Sequence, residues 1–260
     1  MTTASHKIFT HALSMSDALG YRGQKAVAAA ADGKEYRIVG GHMVRLLLHL
    51  YPTSLAVPRS TVDADTAIGS LEIAAPMTQN FLAQNFTKVG GNLFYQQITA
   101  EQRIEINLLA PRTGSTPGIR PRTVPGVGQI DTLTELSYIF LYDPLVIDVE
   151  ADLGNGEILT YQTQIPSLEE ALVLKAFAWK ERSAEKDLAD LHALLEIREA
   201  HPETTWRMNE PTLIGFRKDT REILQPLISA LAKKRTFFPV PPTVDRRRFA
   251  ALMAKHCTAH

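Results

Sequence analysis

Cysteine is nearly missing from this 260-residue chain: Cys257 stands alone. That excludes an internal disulfide and a cysteine-built zinc site, and it suits a reducing compartment. Long hydrophobic runs are missing as well, since no stretch approaches the roughly 20 apolar residues of a membrane helix. The N-terminal segment MTTASHKIFTHALSMSDALG lacks the continuous apolar core of a secretory signal. A cytoplasmic protein with no membrane partner is expected. Excess charge of one sign is absent too, because 28 Lys and Arg balance 28 Asp and Glu. The balance is uneven along the chain. Residues 131–200 hold 15 acidic and 5 basic side chains, a net of 5 − 15 = −10, whereas residues 211–260 hold 3 acidic and 10 basic, a net of 10 − 3 = +7. The C-terminal fifth is thus a basic segment able to attract phosphates.

What is present suffices for a globular protein of two modest domains, with 45% apolar residues for a core. The first half alternates: GYRGQKAVAAAAD suits a helix, EYRIVGG a strand ending in a Gly turn, HMVRLLLHLY a one-sided apolar helix, and TVDADTAI a strand. PMTQNFLAQNF reads as a further helix, and NLFYQQITA with QRIEINLLA as an adjacent strand pair. Residues 112–128, RTGSTPGIRPRTVPGVG, read as a long connection with no core-forming capacity. From about Ser167 the chain turns helical, with Glu170 three positions on as in a capping box. The expected fold class is α/β, with an N-terminal domain on a short mixed sheet over residues 1–165 and a mostly helical domain over 166–260 that ends in a basic tail.

The run VGGHMVRLLLHLYPTSLAVPRSTVDADTAI, residues 39–68, carries the chemistry. Strand side chains alternate between faces, so Val62 and Ala64 can bury while Asp63 and Asp65 project together from the other face. Two adjacent carboxylates repel, and they become favourable when they share a divalent cation. Hard oxygen ligands with positions left for water and phosphate describe Mg²⁺. Gly40 and Gly41 lack a Cβ and allow close backbone approach. The helix after them offers unsatisfied N–H groups and a partial positive charge to a phosphate. Together the two elements can hold a nucleoside triphosphate and its metal.

The pair Gly40-Gly41, the spacer helix and Arg59-Ser60-Thr61-Val62-Asp63-Ala64-Asp65 resemble the signature of the DNA polymerase beta-like nucleotidyltransferase superfamily. Within it the chain most resembles the AbiEii-type toxins of type IV toxin–antitoxin and abortive-infection systems, including the mycobacterial MenT group. The run LEEALVLKAFAWKERSAEKDLADLHAL is similar to that family's helical motif, with Lys175, Arg182, Lys186, Asp187 and Asp190 at the matching positions. The resemblance implies that Asp63 and Asp65 hold Mg²⁺ and that Lys175 contacts the nucleotide phosphates, where a mobile ammonium stabilises charge during nucleotidyl transfer. It also implies that Asp187 supports the active site and that Arg182 lies near the same pocket, in a cleft between the two domains. An NTP as co-substrate, a tRNA 3′ end as acceptor and a cognate antitoxin as partner are implied in the same way.

The chain departs from its relatives on a later strand. They carry a pattern like Val-Asp-Leu-Leu-x-Pro; here the run is Ile106-Asn107-Leu108-Leu109-Ala110-Pro111, with Asn107 in the place of the aspartate. Asn cannot act as a base. Glu105, two residues earlier, points to the same face and is a candidate replacement, though an exposed strand residue is an equal reading. Two alternatives to tRNA modification stay open: nucleotidyl transfer to a small molecule such as an antibiotic, and NTP binding without catalysis. The basic tail is read as a packing strap or as a track for an RNA backbone through Lys233, Lys234, Arg235, Arg246, Arg247 and Arg248.

Overall fold

Alternation in RIEINLLAP builds the central strand. In the computed structural model, which describes residues 5–114, 118–233 and 236–259, strand β6 (Arg103–Pro111) buries Ile104, Ile106, Leu108 and Ala110 and leaves Glu105, Asn107 and Leu109 half-buried on the other face. One edge of β6 pairs in parallel with β3 (Asp63–Ile68). The other edge pairs antiparallel with β5 (Leu93–Gln97) and then, further along, in parallel with β8 (Gly128–Leu133). With β2 (Tyr36–Ile38), β4 (Thr87–Lys88) and β7 (Arg120–Val124) this makes a seven-stranded mixed sheet.

A second sheet holds β1 (Ser5–His11), β9 (Leu145–Asp152) and β10 (Ile158–Ile165), with β1 parallel and β10 antiparallel to β9. The strand reading from sequence did not include β1. Its inward residues, Ile8 and Thr10, are two among polar neighbours, too few to give a periodic signal, and parallel pairing with a strand some 140 residues on is a tertiary event.

Helix α1 (Met15–Ala31) starts where the Ser14 side chain accepts from the Asp17 backbone N–H at 3.2 Å. Its small residues let it lie close on the sheet: a Cβ at Gly23 would sit 3.1 Å from Ala64 Cβ and 3.3 Å from Ile104 Cγ2. Helix α2 (Gly40–Leu50) begins on the Gly pair itself, α3 (Ala74–Ala83) follows β3, and the short α4 (Leu136–Ile139) follows β8.

The stretch 112–128 corrects the sequence reading. It is not structureless, since β7 folds back on β8 as a hairpin and Val124 and Val127 are buried. Two valines separated by Pro and Gly carry no periodicity to read; pairing with β8 supplies the partner. Residues 115–117 lie outside the described residues.

The chain divides into two compact units, Met1–Arg45 with Arg59–Pro166, and Leu46–Pro58 with Ser167–His260. The second is helical, with α5 (Leu168–Arg182), α6 (Glu185–Ala200), α7 (Gly215–Leu231) and α8 (Arg246–Cys257) around Leu172, Leu188, Leu191, Leu194, Phe249 and Met253. The capping box is formed: the Ser167 backbone N–H donates to Glu170 Oε2 at 2.9 Å. Ser183, at φ 48°, ends α5 in the left-handed region. The segment 46–58 is tied into this unit by His201, whose Nε2 donates to the Pro52 carbonyl at 2.9 Å.

Of the four described tail cations, Arg246 and Arg248 are engaged within the helical unit and Lys233 and Arg247 are exposed. Arg248 grips the buried Glu196 through Nε at 2.5 Å and Nη2 at 2.7 Å, and Arg246 donates to the carbonyls of Leu231 and Lys233 after α7. Asp245 caps α8 by accepting from the backbone N–H groups of Arg247 and Arg248. Arg247 is exposed. Lys234 and Arg235 lie outside the described residues.

Candidate active site

The register of three strands assembles the site. β3 and β6 set Asp63 beside Glu105 and Asp65 beside Asn107, and β5 sets Tyr95 on the far side of Glu105. Cross-strand partners share a face, so one half-exposed sheet face carries Asp63, Asp65, Glu105, Asn107 and Tyr95. The opposite face, with Ala64, Ile104 and Ile106, is fully buried.

The Gly pair meets this face directly. Gly40 has φ +67°, and a Cβ there would lie 2.4 Å from Asp65 Oδ2 and 3.1 Å from its Cβ. An L side chain at position 40 is therefore excluded both by backbone conformation and by the carboxylate. A Cβ at Gly41 would lie 2.5 Å from Arg59 Nη2 and 3.1 Å from Thr61 Cβ. The backbone bond from Val39 N–H to the Asp65 carbonyl, 2.9 Å, anchors the approach. The first turn of α2, with its N–H groups that have no intrahelical partner, thus begins on the carboxylate pair.

Each carboxylate is oriented by a neighbour. Thr61 Oγ1 donates to Asp63 Oδ1 at 2.9 Å, and Asn107 Nδ2 donates to Asp65 Oδ1 at 3.2 Å. Thr61 was not singled out from sequence, although it stands two residues before Asp63, where extended backbone puts side chains on one side. Arg103 Nη2 donates to Glu105 Oε2 at 3.4 Å, a long and weak contact, and stacks 4.0 Å over the Tyr95 ring. Glu105 and Val62 border a groove of about 720 Å³ whose other walls include Met15, Leu19 and Gln97.

His42, in the first turn of α2, is a second residue absent from the expected site. It is fully buried with its ring against Gly20, where a Cβ would lie 2.2 Å from Cε1. Among the described residues neither ring nitrogen finds a hydrogen-bond partner. Burial, with the positive charges of Arg45 and Arg59 adding to it, pushes its pKa down to about 4 against the opposing pull of Asp63 and Asp17. The imidazole is neutral at pH 7. Arg45 in turn is held by buried Asp17 at 2.5 Å and by Tyr21 Oη at 2.8 Å.

Two half-exposed carboxylates on alternate strand positions, beside a helix N-terminus, fit a divalent cation that keeps sites for water and phosphate. Among the described residues no three His, Cys, Asp or Glu side chains are placed as a ligand cluster.

In the helical unit the motif residues form two pairs across the α5–α6 turn. Lys175, 3% exposed, places Nζ 2.6 Å from Asp190 Oδ2. Arg182 grips Asp187 in a fork, Nε to Oδ2 at 2.7 Å and Nη2 to Oδ1 at 2.6 Å, with the Arg182 side chain 48% exposed and Asp187 fully buried. Lys186 is exposed. The structure therefore brings Gly40, Gly41, Asp63, Asp65 and Glu105 together in one unit, and pairs Lys175 with Asp190 and Arg182 with Asp187 in the other.

A Gly pair opening a helix against an Asp-x-Asp strand is the arrangement that the resemblance to nucleotidyltransferases implies. Residues 27–256 match the family model described as nucleotidyl transferase AbiEii toxin of type IV toxin–antitoxin systems, and the chain belongs to that family. Membership makes it a transferase acting with an NTP, in a family that implies an antitoxin partner and generally uses a divalent metal. Among solved structures, an antigenic nucleotidyltransferase-like protein from Paracoccidioides brasiliensis aligns over 95% of this chain and 94% of its own at 14% identity, with a TM-score of 0.45. No curated protein matches the chain significantly. No helix among the described residues is long and apolar enough to cross a membrane.

Proposed function

We propose that the protein moves a nucleoside monophosphate from an NTP to an RNA hydroxyl, the 3′ end of a tRNA, forming a phosphodiester and releasing pyrophosphate, with Mg²⁺ held by Asp63 and Asp65. The observation that carries this reading is the seating of Gly40 on the Asp65 carboxylate, since a Cβ at 2.4 Å would block it. That contact joins the phosphate-binding and metal-binding halves of one site.

Within it each residue has a defined task. The backbone of Gly40 and Gly41 and the first turn of α2 bind the triphosphate. Asp63 and Asp65, fixed by Thr61 and Asn107, hold the cation, which when bound neutralises charge developing on the phosphoryl oxygens. Glu105, beside Asp63 on the same face, takes the proton of the acceptor hydroxyl. In the helical domain, residues 166–260, Lys175 has the task of neutralising the phosphates, with Arg182 and Asp187 supporting the α5–α6 turn. Asp190 orients the Lys175 ammonium.

The test is incubation of the protein with each labelled NTP, Mg²⁺ and total RNA, beside the Asp63→Ala variant. Label on tRNA that is lost with Asp63→Ala is the expected result. Label on a small molecule but never on RNA moves the acceptor to the antibiotic class, and no label with any NTP overturns the reading.

A further inference from the structure

Asn107 stands where the family carries a carboxylate, and its surroundings explain the amide. We infer that Asp131 on β8, acting through Asn92 and Asn107, is a positioning residue for Asp65. The inference rests on the reading of Asp63 and Asp65 as the metal-holding pair.

Three contacts make a line from β8 to the site. Asn92 Nδ2 donates to Asp131 Oδ2 at 3.2 Å and to Asn107 Oδ1 at 2.6 Å, and Asn107 Nδ2 donates to Asp65 Oδ1 at 3.2 Å. An ionised carboxylate only accepts hydrogen bonds. Asp131 therefore forces the nitrogen of the Asn92 amide to its side, and the second hydrogen of that nitrogen goes to Asn107. Asn107 must then present its carbonyl oxygen to Asn92 and its nitrogen to Asp65. Asn107 is thus held between a donor, the Asn92 nitrogen, and an acceptor, the Asp65 carboxylate.

The backbone is built to hold this line. The Asn92 carbonyl accepts from the Leu108 N–H at 2.8 Å, which fixes residue 92 beside β6. The preceding residue is Gly91, where a Cβ would lie 1.6 Å from the Gln129 carbonyl oxygen. Only glycine lets this turn come near enough to β8 for Asn92 to reach Asp131. Register places Asp131 beside Leu109, on the face that carries Asn107.

The consequence is at Asp65. Its Oδ1 is held by the Asn107 amide while Oδ2 lies against Gly40, so one carboxylate rotamer is fixed with a defined oxygen toward the helix N-terminus. An amide nitrogen cannot ligate a cation, so through it Asn107 orients Asp65 rather than joining it as a ligand.

The test measures Mn²⁺ binding to the purified chain by the electron paramagnetic resonance signal of the free ion, with thermal melts alongside. Asp131→Leu frees the Asn92 amide to turn, so that its oxygen competes with Asp65 for the Asn107 amide hydrogens, and is expected to weaken Mn²⁺ about 10-fold, the low end of what loss of an outer partner costs a metal site. Asn92→Ala should do the same. Asp131→Asn, whose amide oxygen still accepts from Asn92, should stay nearer the unmutated protein and carries the test if Asp131→Leu does not fold. In an Asn107→Asp background there is no amide to orient, and Asp131→Leu should then cost less than about 2-fold. An equal loss in both backgrounds, or unchanged Mn²⁺ affinity in Asp131→Leu and Asn92→Ala, overturns the inference. Asp63→Ala is the control: if it too binds Mn²⁺ normally, the metal-pair reading itself has failed, whereas a weakened Asp63→Ala beside an unaffected Asp131→Leu rejects the relay alone.

Discussion

Asp65 in the sheet unit and Asp190 in the helical unit both stand in runs that resemble family motifs, yet their surroundings are opposite. Asp63 and Asp65 lie on a half-exposed strand face, oriented by Thr61 and Asn107. Asp187 and Asp190 are 0% and 2% exposed and sit 2.6 Å from an Arg182 and a Lys175 nitrogen. The same side chain is thus half-exposed on a strand in one unit and one half of a buried ion pair in the other. Motif membership does not separate these uses; exposure and the nearest donor do.

The largest expected effect breaks the comparison on the sheet side. Asp63→Ala or Asp65→Ala should abolish transfer while the melting temperature stays level or rises, because a repelling pair loses one member. Substantial residual labelling of RNA by either variant would contradict the metal-site assignment. Next in size is Glu105→Gln, expected to lower the rate about 10²- to 10⁴-fold with little change in NTP affinity, the usual contribution of a positioned base. Asn107→Asp is expected to be tolerated when metal is present. A silent Glu105→Gln in single-turnover kinetics would show that no strand carboxylate serves as the base.

On the helical side the effect should fall on stability first. Removing one partner of a buried pair leaves the other charge uncompensated, so Asp190→Ala is expected to cost about 3–5 kcal/mol in urea unfolding. A loss under about 1 kcal/mol would mean the pair is solvated. Lys175→Met with Asp190→Leu, which removes both charges, should recover much of that stability and leave activity lost if Lys175 contacts the phosphates.

His42 ties stability to pH. Its folded pKa, about 4, lies below the unfolded value near 6.5. Above pH 6.5 neither state binds the proton and its contribution is fully present. As pH falls from 6.5 to 4 the unfolded chain gains a proton that the folded chain refuses, so stability is lost, by roughly 3 kcal/mol in total. Urea midpoints across that window should lose this slope in His42→Leu; an unchanged slope assigns it elsewhere. The smallest effect is expected at Arg247. Because Arg246 and Arg248 are engaged by carbonyls and by Glu196, Arg247→Glu should change the slope of RNA affinity with salt by about one phosphate at most, 0.7 to 0.9 log units. A larger change in a filter-binding salt titration would restore the tail as an RNA track.

Local signals carried much of this protein. The period-2 alternation around Asp63 and through Ile104–Ala110, the Ser167 and Glu170 cap and the one-sided apolar helix after Gly41 are properties of neighbours in the chain, so the strands, the helix start and the projecting carboxylates were legible there. Spacing also showed that Asp63 and Asp65 share a face, because that follows from backbone geometry alone.

Which groups meet across strands was decided by register and by packing over long separations. Nothing near Asn107 announces Asp131, 24 positions later, or Asn92; the three meet because β5 and β8 pair with the same edge of β6 and because Gly91 admits a close approach. Nor does the run from Lys175 to Asp190 say whether its charges face solvent or each other, since i, i+3 and i+4 spacing serves a solvated helix face equally well. Folding α5 back on α6 turned Lys175, Asp187 and Asp190 inward and left Arg182 and Lys186 exposed. Sequence determined which residue types stand ready on each element; the tertiary structure alone chose the partner of each, and with the partner its charge, its exposure and its use.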